Sequence, residues 1–364
     1  MIFEIYQYLW LTKSLLYGED FKLKKYIKSL VNKSKVFRKV FRFLIDLSWF
    51  IVVEFFILFL KQKYKIDKHS KTIIHLHHGV GDDIHLLSII KGYQNEQPNK
   101  MRNVILITFG NLKILKSLLK IYEINEIKPI ELKKNTIVSF IIKLSGLKNY
   151  VEIIDKRIDE KRKIFIIPVS NIYENENNNF LSFHDIYKNS FKFYFNSNVN
   201  IFVPKISKSQ RKEAYDFFEK YGLKEDKTVI FSPEARTLIK YIPDLYEKTY
   251  PYYKELALKL MKKGFYICIN GNMKIDGAIN IFPPLEIFIP FLDLAGYLIG
   301  TRSGLFDLAT FSNARLFVYY PQYIESNKRS YFENHSLKTN WGREKNLVEI
   351  QGKFENILEF EKYF

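Results

Sequence analysis

From residue 72 onward, short apolar runs alternate with stretches whose apolar residues recur at helical spacing. TIIHLHH (72–78) is a β-branched run that stops at Gly79 and Gly81, and DIHLLSIIKGY (83–93) follows with a helical period. NVILITF (103–109), NLKILKSLLKIY (111–122), EIKPI (126–130), a helical stretch near 136–145 and KIFIIPV (163–169) continue the alternation. Continuous apolar strands separated by amphipathic helices predict a parallel sheet with helices on both faces. Residues 170–200, including the Asn-rich NIYENENNNF, break the rhythm and read as a polar loop.

After NIFVP (200–204), the string SKSQRKEAYDFFEKYG predicts a helix capped by Ser207 or Ser209 and stopped at Gly222. A second alternation then begins. KTVIFSPEA reads as strand and loop, PYYKELALKLMKKG as helix, FYICING as strand and loop, and PLEIFIPFLDLAG as helix. YLIGT is a strand, RSGLFDLATFSNA a helix and RLFVYYP a strand. The chain is therefore expected to be α/β, with two Rossmann-like doubly wound domains at 71–205 and 206–325 and their junction near 200–225. A helical segment (1–70) precedes them, and a tail (326–364) is expected to pack back on the first domain.

Composition adds constraints. With 47% apolar and 16% aromatic residues among 364, the chain is not disordered and can bury two cores. A single cysteine, Cys268, excludes an internal disulfide and any cysteine-based zinc cluster, and fits a reducing compartment. The formal charge of +18 suits nucleic acid, anionic lipid headgroups or phosphorylated small molecules. No helix-turn-helix, zinc finger or RNP-type motif is present, so a nucleic-acid partner is not expected.

Basic residues are densest from Lys22 to Arg42 and again from Lys61 to Lys68, on either side of the apolar run 41–60. Asp46 and Glu54 lie within that run, and each would cost about 2.5–3.5 kcal/mol at a bilayer centre. Basic flanks on both sides give no orientation, and the run's position and length do not fit a cleaved signal peptide. A helix in the membrane interface, a buried helix of the first domain and a true span all remain open. The expectation is a cytoplasmic enzyme peripheral to the inner face of an anionic membrane.

In an open parallel sheet, ligands bind beyond the carboxyl ends of the strands. The polar signatures of the second half fall at such ends: Ser232-Pro233-Glu234-Ala235-Arg236, then Asn270-Gly271-Asn272, then Thr301-Arg302-Ser303-Gly304 with Asp307 three residues on. At the third, a strand enters Thr-Arg-Ser-Gly and a helix leaves it, so unpaired backbone N–H groups converge. Gly304 permits close approach of a phosphate, Ser303 or Thr301 can cap or donate, and Arg302 or Arg236 can neutralise charge. An ordinary helix cap with a solvated arginine is the plainer alternative. Glu234 could hold a donor hydroxyl or orient Arg236. Glu286, after Pro283-Pro284, could contact a base or ribose, or simply start its helix. Neither GxxxxGK[ST] nor GxGxxG occurs.

The strings SPEART, PYYKELALKLMKKGFYICING and LEIFIPFLDLAGYLIGTRSGLFDLATFSNARLFVYYP together resemble the second domain of GT-B glycosyltransferases. They are most similar to the heptosyltransferase-like group that builds bacterial surface polysaccharides. The resemblance runs over about residues 72–322 and is best in 227–322. It implies a nucleotide-sugar donor whose diphosphate meets the helix opening at Ser303-Gly304. Many heptosyltransferases carry Asp-Ser-Gly-x-x-His where this chain has Arg302-Ser303-Gly304-Leu305-Phe306-Asp307, which leaves the donor sugar open.

The segment HLHHGVGDDIH (75–85) holds four of the chain's seven histidines with two aspartates. Gly81-Asp82-Asp83-Ile84-His85 matches the Gly-Asp-x-(apolar)-His segment of the same group, with Gly79, Gly81 and His85 on the acceptor side. By that resemblance Asp82 is the general base, with Asp83 the second candidate. A carboxylate facing phosphate donors across a cleft suits transfer with inversion. A helix-opening Asp can equally be only an N-cap. His78 could bind phosphate or acceptor, or be structural. His75 and His77 share a strand face and could begin a metal site. No D-x-D of the GT-A kind occurs, so no metal or other cofactor is expected.

The resulting expectation is an inverting, metal-independent glycosyltransferase acting on a glycan or lipid-linked acceptor in capsule or lipooligosaccharide synthesis. A nucleotide-sugar epimerase of the same fold and a catalytically silent membrane scaffold are the alternatives.

Overall fold

The computed structural model describes residues 72–76, 80–96, 104–108, 112–125, 128–131, 163–165, 200–239, 241–324 and 329–364. The N-terminal segment 1–70 with its apolar run, the helix near 136–145, the loop 170–199, and His77, His78 and Gly79 lie outside them. So do the side chains of Asp82 and Arg236.

The first half is a four-stranded parallel sheet in the order β3-β2-β1-β4. Its strands are β1 (Thr72–Leu76), β2 (Val104–Thr108), β3 (Lys128–Glu131) and β4 (Lys163–Phe165). Thr72 pairs with Val104 and Leu76 with Thr108. Parallel neighbours need a crossover, and helices α1 (Val80–Glu96) and α2 (Leu112–Ile121) provide two of them. Lys113, Lys116 and Lys120 of α2 face solvent, while Leu115, Leu118 and Leu119 are buried. Helix α1 is buried without a break from Ile84 to Ile90, as a helix covered on all sides must be.

The second half is a six-stranded parallel sheet in the order β10-β9-β8-β5-β6-β7. Its strands are β5 (Thr228–Ser232), β6 (Tyr266–Ile269), β7 (Ile279–Asn280), β8 (Gly296–Thr301), β9 (Arg315–Pro321) and β10 (Leu347–Gly352). Chain order runs outward from β5 in one direction and resumes at β8 in the other, which is the 3-2-1-4-5-6 order of a complete dinucleotide-binding fold. The topological switch points therefore lie between β1 and β4 and between β5 and β8. Side chains alternate between two faces. Ile230, Cys268, Leu298, Leu316 and Val318 join one core, whereas Val229, Phe231, Ile267, Ile299 and Phe317 join the other.

Helix α3 (Lys208–Lys220) starts at Ser207, whose hydroxyl accepts from Gln210 N–H in a capping box, and ends before Gly222 at φ +60°. Short α4 (Arg236–Ile239) follows β5. Helix α5 (Leu245–Lys262) begins six residues before the expected Pro251, which sits inside it. Leu245, Thr249 and Tyr253 bury one face there, and that packing outweighs proline's missing donor. Helices α6 (Leu285–Ala295) and α7 (Gly304–Ala309) flank β8.

The tail was expected to pack back on the first domain, and it also extends the second sheet. After α8 (Tyr331–His335) and α9 (Leu337–Trp341), residues 347–352 add β10 to the second sheet, paired from Leu347↔Leu316 to Gly352↔Pro321. The 3₁₀ helix Phe354–Tyr363 then covers α5, with Phe360 buried on Phe317 and Glu361 paired to Lys259 and Lys263 at 3.1 and 3.5 Å. The tail thus completes the second half, and it also meets the first where Trp341 stacks on His85.

The two halves are in contact along their helices. One core runs from Ile84, Leu118 and Tyr122 into Phe288, Leu292 and Phe306, so along α1–α7 and α2–α6 the halves touch rather than face each other across an open cleft. The linking segment is fastened to α1, where Ser88 and Phe202 exchange hydrogen bonds of 2.6 and 3.1 Å.

The β5–β8 pairing requires glycine at 300, because a Cβ there would lie 2.0 Å from the Ser232 carbonyl oxygen. Gly300→Ala is expected to lower the unfolding free energy by about 1–3 kcal/mol, read as a lower urea midpoint with unchanged slope.

Candidate active site

Helix α1, which follows β1, and helix α7, which follows β8, meet at their first turns through glycines. A Cβ on Gly304 would lie 2.4 Å from the Gly81 amide nitrogen, and one on Gly81 would lie 3.2 Å from Gly304 Cα and 2.5 Å from Asp307 Oδ2. Backbone thus rests on backbone, which only glycine allows. Helix α1 starts at Val80, so Gly81, Asp82 and Asp83 all fall in its first turn, with Asp83 half-buried. Ser303 stands at the N-cap of α7, half-exposed, in extended conformation and with no side-chain cap hydrogen bond.

Asp307 lies under this junction, 2% exposed. Arg302 Nη1 and Nη2 donate to its two oxygens at 2.9 and 2.6 Å, and Trp341 Nε1 donates at 2.8 Å. His85 Nε2 of the first half lies 3.5 Å away. The His85 ring stacks on Trp341 with centroids 4.1 Å apart and planes at 16°. Burial alone would raise the Asp307 pKa, but the Arg302 charge and the contacts from His85 outweigh it and hold the carboxyl well below its ordinary range. Burial is also the main influence on His85 and lowers its pKa, against the pull of Asp307.

Arg302 is therefore not the phosphate ligand that was expected. It is 4% exposed, its Nε donates to the His335 carbonyl at 2.8 Å, and Nη1 also meets the Ser303 carbonyl. A guanidinium held this way braces the turn and the tail from inside. Thr301 is likewise in the core, bonded to Tyr253 Oη at 2.9 Å. Glu286 accepts from Ser117 Oγ at 2.9 Å and lies 3.8 Å from Lys120, so it joins α6 to α2.

At the ends of β5 and β6, Glu234 bridges two loops. Its carboxylate accepts from Asn272 N–H at 2.6 Å and from the Asn272 amide at 3.5 Å, and a Cβ on Gly271 would touch Oε1 at 3.0 Å. Ser232 is buried, Asn270 is half-buried and Asn272 is exposed. These residues form the rim beside the β5–β8 switch point, while Gly81, Asp83, His85, Ser303, Gly304 and Asp307 gather at the α1–α7 junction. Two residues that the sequence did not flag belong to the second group: Trp341 and, through its carbonyl, His335. The lone tryptophan of the C-terminal segment, before Gly342 at φ +65°, was the available sign.

Breaking the pair leaves a buried charge without its partner. Asp307→Asn is expected to cost about 3–5 kcal/mol of stability, measured by chemical denaturation. The acid limb follows from the two shifts. Both folded pKa values lie below their unfolded values, so both contributions are full above the unfolded pKa and drain as pH falls through the folded one. His85 predicts a decline that starts near pH 6.5, and Asp307 a steeper loss below about pH 4. His85→Phe should flatten the upper limb alone in denaturation midpoints taken between pH 8 and 5.

No family model matches the chain. No curated protein matches it in sequence. Among solved structures, it is similar to a glycosyl transferase family 9 protein from Veillonella parvula, with 12% identity and a TM-score of 0.48 over 79% of this chain and 87% of that one. It is similar to E. coli ADP-heptose LPS heptosyltransferase II, with 13% identity and a TM-score of 0.46 over 80% and 97%. S. aureus MnaA with UDP matches at 13% identity and a TM-score of 0.42 over 80% and 87%.

Proposed function

We propose that the chain transfers a sugar from a nucleotide-activated donor to a glycan or lipid-linked acceptor. The observation that carries this reading is the meeting of Gly81 and Gly304, which sets a two-carboxylate helix start beside a serine-glycine turn at the ends of two Rossmann-like sheets. Asp82, or Asp83 next to it, takes the proton of the acceptor hydroxyl as its oxygen attacks the anomeric carbon. The anomeric C–O bond breaks on the opposite face, and its electron pair leaves with the diphosphate, so configuration inverts. Because Arg302 is spent on Asp307, charge on the leaving diphosphate is met by Arg236 at the start of α4 and by the Ser303 hydroxyl. Glu234 and Asn272 hold the nucleoside end at the rim of β5 and β6.

The overall charge of +18, with basic residues on both sides of the run 41–60, supports an acceptor at an anionic membrane surface, as in capsule or lipooligosaccharide synthesis. Among the described residues, no helix is long and apolar enough to cross a membrane.

The test is a thermal-shift series of nucleoside mono- and diphosphates with and without EDTA. A nucleoside diphosphate at a hundredfold excess over Kd is expected to stabilise the fold by about 2.7 kcal/mol, unaffected by EDTA and diminished in Arg236→Ala. Stabilisation by no nucleotide would sink the reading and favour a silent scaffold. Asp82→Asn should keep that stabilisation and lower kcat by about 10²–10⁴-fold. Conversion of the nucleotide-sugar without any acceptor would point to epimerisation instead.

A further inference from the structure

The contact between Gly81 and Gly304 is smooth. Neither residue has a side chain to interlock, so the glycines bring α1 and α7 together without fixing their register or rotation. Register must come from the next contact along the same helix faces. On α1 that residue is His85, four positions after Gly81, and on α7 it is Asp307, three after Gly304. The two face each other at 3.5 Å, and Trp341 closes the contact from a third side by donating to Asp307 and stacking on His85. Trp341 ends α9 at the Gly342 C-cap, and α9 is anchored independently of the first half. Ser336 caps its start by accepting from Thr339 N–H, and the Asn340 side chain ties back to the Asn334 and Ser336 carbonyls at 3.0 Å. The indole is therefore presented from a fixed base.

We propose that Trp341 is a positioning residue for the transfer reaction: by clamping His85 against Asp307 it sets the first turn of α1, with Asp82 and Asp83, in register with the Ser303–Gly304 turn. The inference rests on the sugar-transfer reading of the same site and extends it to a residue of the C-terminal segment. Trp341 touches neither donor nor acceptor in this account. It acts through His85, one turn along from the carboxylates. Since an error of about 1 Å at reacting atoms can cost 10²-fold in rate, losing the clamp should affect turnover far more than donor affinity.

Trp341→Phe and His85→Phe test this, each keeping a ring in place. The Phe at 341 removes the donor to Asp307, and the Phe at 85 removes the imidazole contact. Three readouts are taken below the melting range: Kd for the stabilising nucleoside diphosphate, kcat and KM for transfer, and amide exchange over residues 80–90. The proposal expects a Kd within about threefold of wild type, kcat lowered about 10–100-fold, and faster exchange at the start of α1 in both variants. A lowered melting temperature with kcat and α1 exchange unchanged would overturn it, because Trp341 would then be only a stabilising residue. If the wild type binds no nucleotide, the sugar-transfer reading fails on that result alone and the catalytic role of Trp341 falls with it. Exchange over 80–90 still decides whether the clamp exists.

Discussion

A carboxylate 2% exposed inside a protein is expensive unless every lone pair is used, and the fold around Asp307 is arranged to use them. Arg302 supplies a bidentate fork, Trp341 an indole N–H and His85 an imidazole edge. The first comes from the end of β8, the second from the C-terminal segment and the third from α1 of the first half. Satisfying one buried charge therefore requires three separate parts of the chain to be in place together. The first turn of α1 lies close to the same carboxylate, since a Cβ on Gly81 would fall 2.5 Å from Asp307 Oδ2. Removing any partner leaves the others facing an unmet charge, which makes the junction cooperative.

That constraint divides labour among residues of similar type. Arg302, at the end of β8, is enclosed by Asp307 and the His335 carbonyl and is spent on them. Of the acidic residues, Asp307 and Glu286 hold the halves together, one at α7 and α1 and the other at α6 and α2. Glu234 spans the loops after β5 and β6. Asp83, in the first turn of α1, is half-buried. In the proposed reaction, chemistry at this site depends on where the first turn of α1 sits, and that turn adjoins the buried cluster.

Much of the architecture was legible because its cause is local. TVIFS, YICI, GYLIGT and RLFVYYP became β5, β6, β8 and β9 where the apolar runs put them, and the Ser207 cap and Gly222 stop bound α3 as its residues specify. The start of α5 was not, since Pro251 reads as a first-turn residue until Leu245 and Thr249 are seen to bury a face before it. The place of the tail was not legible either, since LVEIQG is a strand through its pairing with the edge of β9. The strand-end positions of the candidate site were legible from Gly81, Ser303 and Gly304, because a turn between strand and helix leaves its mark in glycine and serine. The duties of Arg302, Asp307 and Glu286 were not. An arginine next to a serine-glycine turn has the same composition whether it meets a phosphate or a buried aspartate, and partners such as His335 and Trp341 lie more than thirty residues away.

Sharing one core across both halves has a mechanistic consequence. Two domains joined only by a linker can open and close as rigid bodies, but here Ile84, Leu118 and Tyr122 pack in the same core as Phe288, Leu292 and Phe306. Packed interfaces of this kind resist continuous deformation and shift between discrete arrangements. On the proposed transfer reading, movement that admits an acceptor between the first turn of α1 and Ser303 proceeds about contacts that can be remade. Gly81 against Gly304 is such a contact: it has no interlocking side chains and allows sliding. His85 between Asp307 and Trp341 is what restores one register when the sliding ends.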